Sequence, residues 1–205
     1  EIRGTQQFCF TVLGITPVTS ETTTMTTGTY RVTEDVTIES RIIIDGKVNL
    51  ILNEGTVLNA KCGIEVESDN TLIIEGLGTL RATGTHNSAG IGGTYKGLSE
   101  QSEHGHIIIN GGIIIAQGAQ YAAAIGGAEG NTVGSNSIVE INGGIINATG
   151  GLRAAGIGGG YNIIWDNEGG KSGVIIINGG QVTVRGGSYA PAGIGRGEDS
   201  PDTSG

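Results

Sequence analysis

The sequence predicts an all-β protein, a right-handed parallel β-helix with three short strands per coil, about five to six coils and an N-terminal cap. Two observations predict it. Short isoleucine-rich runs recur along the chain at a nearly constant interval, and 40 of the 205 residues are glycine whereas only 3 are proline. Such repeats indicate stacked units that bury a continuous core between neighbours.

Two sequence blocks recur in step with each other. The block Ile-Asn-Gly-Gly begins at Ile109, Ile141 and Ile177. A second block places a core isoleucine between small residues at Ile91, Ile125, Ile157 and Ile194, at intervals of 34, 32 and 37 residues. We expect the equivalent isoleucines to stack in ladders along the axis, with coils about 4.8 Å apart.

Each constant part of the repeat contains three short apolar runs, such as residues 106–109, 113–116 and 123–126. The runs are rich in Ile and Val, are divided by glycines and are too short for ordinary helices. Each run therefore predicts one strand, and each coil has three faces. The segments that follow the second block vary in length and composition, and we expect them to leave the same corner as loops.

One tight corner carries a column of amide side chains. Asn53, Asn110, Asn142 and Asn178 are expected to align there, with Glu75 as the exception. Asparagine tolerates the left-handed backbone of a tight bend, and stacked carboxamides can hydrogen-bond from coil to coil. We predict a structural role for these residues.

The predicted organisation has three parts: a capping segment at residues 1–29, repeats at residues 30–197, and an acidic tail or start of a further coil at residues 198–205. Phe8 and Phe10 flank Cys9 in the capping segment. Cys9 and Cys62 lack the spacing of a zinc site. Two interpretations stay open, a disulfide that ties the cap to an early coil and two buried free thiols.

Composition excludes several classes of partner. The formal net charge of −9 and the pI near 4.7 disfavour nucleic acid and anionic lipid, which require clustered Lys and Arg. No apolar stretch reaches the roughly 18 residues of a membrane span, so no membrane insertion is expected. The chain begins at Glu1 rather than Met, which predicts removal of a signal segment, or trimming, and an extracellular or cell-surface location.

The pattern Ile-x-Ile-Asn-Gly-Gly, then Ala-Thr-Gly-Gly, then Ala-Gly-Ile-Gly-Gly resembles the glycine-rich repeats of large bacterial surface proteins, over roughly residues 30–197. Such proteins are similar to the pectate-lyase-like right-handed β-helix superfamily. The superfamily includes polysaccharide lyases, carbohydrate-binding modules, adhesins and phage tailspikes. The resemblance implies architecture and a secreted or wall-attached setting, and no catalytic motif carries over.

The variable loops hold the candidate ligand-binding residues: Tyr95, Tyr161, Trp165, Glu129 and Asp166. Aromatic rings in line can stack on sugar rings, and nearby carboxylates can bind the hydroxyls. The alternative, which the sequence favours, is that the rings fold back over the loops as small satellite clusters.

A second edge carries Asn87, Tyr121, Arg153 and Tyr189, each in the turn before a core isoleucine. These residues differ in type from coil to coil. The difference favours ordinary solvated turns over a binding site.

Catalysis is disfavoured by the sequence, although it is not excluded. A lyase needs a base, and the candidates are Lys96, Lys171, His104 and His106, which show no convergent arrangement. Calcium is the one cofactor the sequence suggests, at Glu198, Asp199 and Asp202, although an acidic tail is the favoured interpretation.

Three functions remain in competition. The first is a carbohydrate-binding or adhesive surface module whose partner is a polysaccharide or a host or cell-surface glycan. The second is a structural fibre, filament or virion subunit that assembles as a homo-oligomer by end-to-end stacking. The third is a polysaccharide lyase or glycoside hydrolase.

Overall fold

The fold is that of a computed structural model, which describes residues 14–97, 103–130, 137–162, 170, 172–190 and 192–198. These ranges contain eighteen strands and no helix. The strands in chain order are β1 Ile15–Pro17, β2 Thr24–Val32, β3 Val36–Ile38, β4 Ile42–Leu52, β5 Val57–Ala60, β6 Ile64–Glu65, β7 Thr71–Gly76, β8 Thr79–Thr83, β9 Ile91–Gly92, β10 His106–Ile109, β11 Ile113–Gln117, β12 Ile125–Gly126, β13 Ile138–Ile141, β14 Ile145–Thr149, β15 Ile157–Gly158, β16 Val174–Ile177, β17 Gln181–Arg185 and β18 Ile194–Gly195.

The strands form three parallel faces, and each winding of the chain contributes one strand to each face. The first face stacks β4, β7, β10, β13 and β16, and the second stacks β3, β5, β8, β11, β14 and β17. The third stacks β4, β6, β9, β12, β15 and β18. This confirms the predicted parallel β-helix with three strands per coil, and parallel crossovers of this kind are right-handed.

Strand β4 belongs to two faces. Its residues Ile42 and Ile43 pair with β6, and its residues from Lys47 to Leu52 pair with β7. The first and third faces are therefore continuous and, together with β1 and β2, form one 12-stranded sheet. On the other side β4 pairs with β2, which begins at Thr24, so the predicted boundary at residue 30 falls inside a strand.

The core is a set of aliphatic ladders. Ile91, Ile125, Ile157 and Ile194 are in register along the third face. The first three are fully buried, whereas Ile194 in the last described winding is 43% exposed. Inward residues alternate with outward ones along β7, β10 and β13, which is the period expected of strands. The spacing of the isoleucines in the sequence predicted this register.

The amide ladder is present in the later windings. Asn142 Nδ2 donates to Asn110 Oδ1 at 3.0 Å, and Asn178 Nδ2 donates to Asn142 Oδ1 at 2.8 Å. The expectation for Asn53 is wrong. Leu50 pairs with Ile74, so Ile51 rather than Asn53 lies opposite Glu75. The corner after β4 is longer than the later corners. Asn53 therefore lies two residues beyond Ile51, the residue that faces Glu75.

Cys62 is a free, half-buried thiol in the structure, and its Sγ donates to the carbonyl oxygen of Glu39 at 3.0 Å. Cys9 and the phenylalanines of the predicted cap lie outside the described residues. No helix in the described part of the chain is long and apolar enough to cross a membrane.

Candidate functional site

Four equivalent turns connect the second face to the third. Each closes with a backbone hydrogen bond of 3.0–3.1 Å, from Ser88 to Thr85, Ala122 to Ala119, Ala154 to Gly151 and Ala190 to Gly187. The third residues of these turns stack in one column, which we call the turn ladder: Asn87, Tyr121, Arg153 and Tyr189. The sequence pattern places these same residues on one edge.

The turn ladder has an unusual backbone. Asn87, Arg153 and Tyr189 have left-handed φ angles of 59°, 63° and 63°, and Tyr121 is the exception. At the amide-ladder corner the left-handed positions are glycines, for example Gly144 with φ 91°. A residue with a Cβ costs roughly 1–2 kcal/mol in this conformation. A glycine-rich chain has therefore kept bulky side chains at turn positions where glycine is favoured.

A second column begins the variable loops. It consists of the residues four positions after each core isoleucine, which we call the loop-start column: Tyr95, Glu129, Tyr161 and Glu198. Three of them donate backbone hydrogen bonds to the turn residue one winding earlier. The pairs are Glu129 to Asn87 at 3.0 Å, Tyr161 to Tyr121 at 2.9 Å and Glu198 to Arg153 at 2.7 Å. The two edges that the sequence separated are thus one surface, the turn-loop face.

Side chains join the two columns at the middle of this face. The rings of Tyr121 and Tyr161 lie 5.3 Å apart at a tilt of 42°, and the Arg153 guanidinium lies 5.3 Å from the Tyr161 ring. Arg153 Nε is also 3.5 Å from Glu198 Oε2. Tyr161 is only 7% exposed, so its ring supports the cluster from within. This residue packs as a member of a small satellite cluster rather than as an open ring.

The side chain of Glu129 is also held against the turn ladder. Its carboxylate accepts a short hydrogen bond from Asn87 Nδ2, and the residue is 5% exposed. Burial raises the pKa of the Glu129 carboxyl above its ordinary value, and the hydrogen bond from Asn87 opposes this shift. The side chain therefore anchors the base of its loop rather than facing solvent.

The accessible aromatic groups of the face are different ones. Tyr189 is 77% exposed, and Tyr121 and Tyr95 are half-buried. The backbone N–H of Tyr95 donates to Ser88 Oγ at 3.0 Å, which fixes the start of the first loop. Tyr121 and Tyr189 lie two windings apart in the turn ladder, or about 10 Å at the usual strand spacing.

Several predicted site residues lie outside the described part of the chain: Trp165, Asp166, Lys171, Asp199 and Asp202. Of the predicted calcium ligands only Glu198 is described, and it pairs with Arg153. The described residues contain no group of three or more His, Cys, Asp or Glu side chains suited to a metal ion.

The three candidate bases that the structure describes lie against other groups of the fold. Lys96 Nζ lies 2.7 Å from Glu67 Oε2, and His106 Nε2 lies 3.6 Å from Glu140 Oε2. His104 is fully buried, and its Nδ1 lies 3.0 Å from the carbonyl oxygen of Gly105. Burial lowers the pKa of His104 to about 4, against weaker opposing hydrogen bonds. The imidazole is neutral at pH 7 and out of reach of a substrate.

Sequence reasoning missed a half-buried arginine, Arg41. Its guanidinium donates to Thr94 Oγ1 at 2.8 Å and to the carbonyl oxygens of Cys62 and Ala89 at 2.9 Å. Burial lowers the pKa of Arg41 to about 10, although Glu65 and Glu67 oppose the shift. The group thus stays charged and clamps neighbouring windings together beneath the first loop.

A signal for Arg41 was present in the sequence. Arg41 precedes Ile42, and the equivalent residues before Ile64 and Ile91 are glycines. A charged residue at a position that is glycine in two later windings indicates a side-chain contact that those windings lack. Gly63 is required because a Cβ there would lie 2.6 Å from the carbonyl oxygen of Gly90, at a left-handed φ of 75°, and the Arg41 guanidinium packs against the same position.

Fold and repeats together define a repeat protein of the parallel β-helix class. Three stretches of the chain, residues 72–95, 139–161 and 175–195, match the family model described as beta helix repeat. These matches and the three parallel faces of the fold are consistent with the right-handed parallel β-helix superfamily. None of the curated proteins and none of the solved structures matches it.

The matched stretches contain most of the turn ladder. They include Asn87, Arg153 and Tyr189, and the first two end at or just after the first residue of a variable loop. The repeat therefore comprises the strands and turns, and the loops are additions to it.

Proposed function

We propose that this protein is an extracellular carbohydrate-binding or adhesive module, and that the turn-loop face contacts the glycan. One observation carries the proposal. Asn87, Arg153 and Tyr189 occupy left-handed turn positions in a chain that uses glycine freely elsewhere. Backbone strain that persists at aligned positions indicates that their side chains are needed.

The chemistry of the face suits a sugar chain. The exposed ring of Tyr189 and the half-buried ring of Tyr121 can stack on the C–H faces of sugar rings. Arg153 supplies hydrogen-bond donors and Glu198 supplies acceptors for the hydroxyl groups of the sugar. Since both columns run along the axis of the β-helix, an extended polysaccharide would lie parallel to that axis.

The scaffold holds this face rigid. Tyr161, Glu129 and the backbone pairs between the two columns fix the turn residues one winding to the next. Preorganised side chains lose little conformational entropy when they bind a ligand. We place the protein outside the cell because its expected partners, polysaccharides and surface glycans, are found there.

Binding to a panel of purified polysaccharides, measured by affinity electrophoresis and by a glycan array, tests the proposal. Tyr189→Gly removes an exposed ring at a position where glycine is conformationally favoured, so the fold is preserved. We expect its affinity for the bound glycan to fall about tenfold or more, a loss of about 1.4 kcal/mol.

The matched control is Ile43→Ser, which changes another exposed apolar side chain, 41% exposed, on β4. The control should bind as the parent protein does. Full retention of binding in Tyr189→Gly, or failure of every glycan to bind the parent protein, would contradict the proposal.

End-to-end association is a second candidate function, favoured by the last described winding. Ile177 and Ile194 are each 43% exposed, whereas their partners Ile141 and Ile157 one winding earlier are fully buried. We expect sedimentation velocity to show concentration-dependent oligomers that Ile177→Lys abolishes. A parent protein that sediments as a monomer at every concentration contradicts this function.

A further inference from the structure

A groove of about 480 Å³ lies at the corner between the first and second faces. Its floor is glycine backbone, its walls are the aliphatic side chains of Leu77, Ile113 and Ile145, and Asn110 and Glu54 add polar groups. The turn-loop face, in contrast, borders the third face. The groove is therefore a separate site, and a ligand could occupy it whether or not the turn-loop face binds a glycan.

The apolar walls are unusually open to solvent. Leu77 is 68% exposed and Ile145 is 42% exposed, which places both among the few large apolar side chains that the described residues leave so accessible. Removing such surface from water is favourable. A concave site of a few hundred Å³ with apolar walls and few polar groups has the usual form of a small-molecule site.

Asn110 supplies a hydrogen-bond donor at this groove. It is the last acceptor of the amide ladder, because Asn178 donates to Asn142 and Asn142 donates to Asn110. Within the described residues no acceptor meets Asn110 Nδ2, and the side chain is exposed. An amide that accepts at its oxygen becomes a stronger donor at its nitrogen, so the ladder strengthens both N–H groups of Asn110.

The polar groups restrict the class of ligand. An anion would meet the carboxylate of Glu54, and no Lys, Arg or His lines the groove. A cation would meet the donors of Asn110. An alkyl chain would leave both polar groups without partners. A neutral polyol ring satisfies all of them, because its hydroxyls accept from the amide and donate to the carboxylate while its C–H face covers Leu77 and Ile145.

We propose that this groove binds a neutral pyranose ring, with Asn110 and Glu54 on its hydroxyls and Leu77 and Ile145 against its C–H face. The affinity for a single sugar is modest, with a dissociation constant on the order of 1 mM. The β-helix then carries two sugar sites on different sides.

Methyl glycosides of neutral hexoses are the probes, and saturation-transfer NMR with calorimetry gives the affinity. Asn110→Asp keeps an oxygen that accepts from Asn142 but removes both N–H donors. Leu77→Ser removes one wall at an exposed position that contributes little to folding. We expect each variant to weaken binding about tenfold, which corresponds to about 1.4 kcal/mol.

One control variant locates the site. Ile43→Ser changes an exposed residue that does not line the groove, and it should bind the glycosides as the parent protein does. In the Tyr189→Gly background, which lacks the proposed contact on the turn-loop face, Asn110→Asp and Leu77→Ser should still weaken the remaining glycoside binding about tenfold. The proposal is overturned if no glycoside binds the parent protein, or if Asn110→Asp and Leu77→Ser bind normally. It is equally overturned if Tyr189→Gly abolishes the binding, since the ligand then lies on the turn-loop face.

Discussion

Two of the three bends of each winding, the amide-ladder corner and the turn ladder, solve the same backbone problem with different residues. At the amide-ladder corner the left-handed positions are glycines, with φ 84° at Gly112, 91° at Gly144 and 90° at Gly180. At the turn ladder, Arg153 and Tyr189 adopt φ 63° with their side chains in place. The corner is built for close backbone stacking, whereas the turn ladder is built to display side chains at a cost in backbone energy.

The difference teaches where function lies in a repeat protein. Side chains at the corner satisfy one another, since the amides of Asn110, Asn142 and Asn178 form a chain. Side chains at the turn ladder change from winding to winding and reach toward the loops. Regular residues hold the stack together, and under the proposed function the irregular residues at strained positions are the ones that contact a ligand.

The largest effect is expected at the corner. In Gly144→Ala the new Cβ would lie 2.6 Å from the carbonyl oxygen of Gly112, at a left-handed φ. Strain and overpacking together should lower the free energy of unfolding by roughly 2–5 kcal/mol, as measured by urea denaturation. A loss below about 1 kcal/mol, as for ordinary surface substitutions, would show that the corner does not need glycine.

The second effect depends on pH and arises beneath the loops. The pKa of His104 is lowered from 6.5 to about 4 in the folded state, so the unfolded chain binds the proton more readily. Stability from this group is complete above pH 6.5 and is lost as the pH falls toward 4. The loss at pH 4 should reach about 3 kcal/mol.

Urea denaturation between pH 7.5 and pH 4 measures this slope, with His104→Gln as the test and the exposed His86→Gln as the control. The slope should flatten in His104→Gln and persist in His86→Gln. An unchanged slope in His104→Gln assigns the acid sensitivity to other groups.

A smaller effect is expected in the amide ladder. Asn142→Ala removes hydrogen bonds to Asn110 and Glu140 and the bond received from Asn178. Because the side chain is exposed, the free energy of unfolding should fall by only about 1 kcal/mol in thermal denaturation. Polysaccharide binding at the turn-loop face should not change. A loss of that binding would contradict the assignment of a structural role to the amide ladder and of glycan binding to the turn-loop face.

Much of the fold could be predicted from the sequence because equal spacing in a repeat forces equal register. The isoleucines at 91, 125, 157 and 194 share both a spacing and a position, and they form one ladder. The prediction for Asn53 was wrong because its position in the sequence pattern does not match its register in the structure. The long strand β4 sets the register of the early windings, and the residue pattern alone does not reveal the length of the corner that follows it.

The site was less predictable because its contacts cross between windings. Burial of Tyr161 and Glu129 depends on Tyr121 and Asn87 in the preceding turn, and no residue pattern pairs them. The sequence therefore did not reveal that these two loop-start residues are buried against the turn ladder. The contacts of Arg41 were not predicted because this arginine occurs in one winding only, and the repeat spacing identifies only residues that recur.

The most direct measurement is stability and glycan affinity together in Tyr189→Gly. Removing the exposed ring relieves the left-handed strain, offset in part by the flexibility of glycine in the unfolded chain, so the free energy of unfolding should stay equal or rise by up to about 1 kcal/mol. Affinity for the bound polysaccharide should fall about tenfold in the same variant. A variant that loses stability but keeps its affinity would contradict the account, because Tyr189 would then serve the fold and not a ligand.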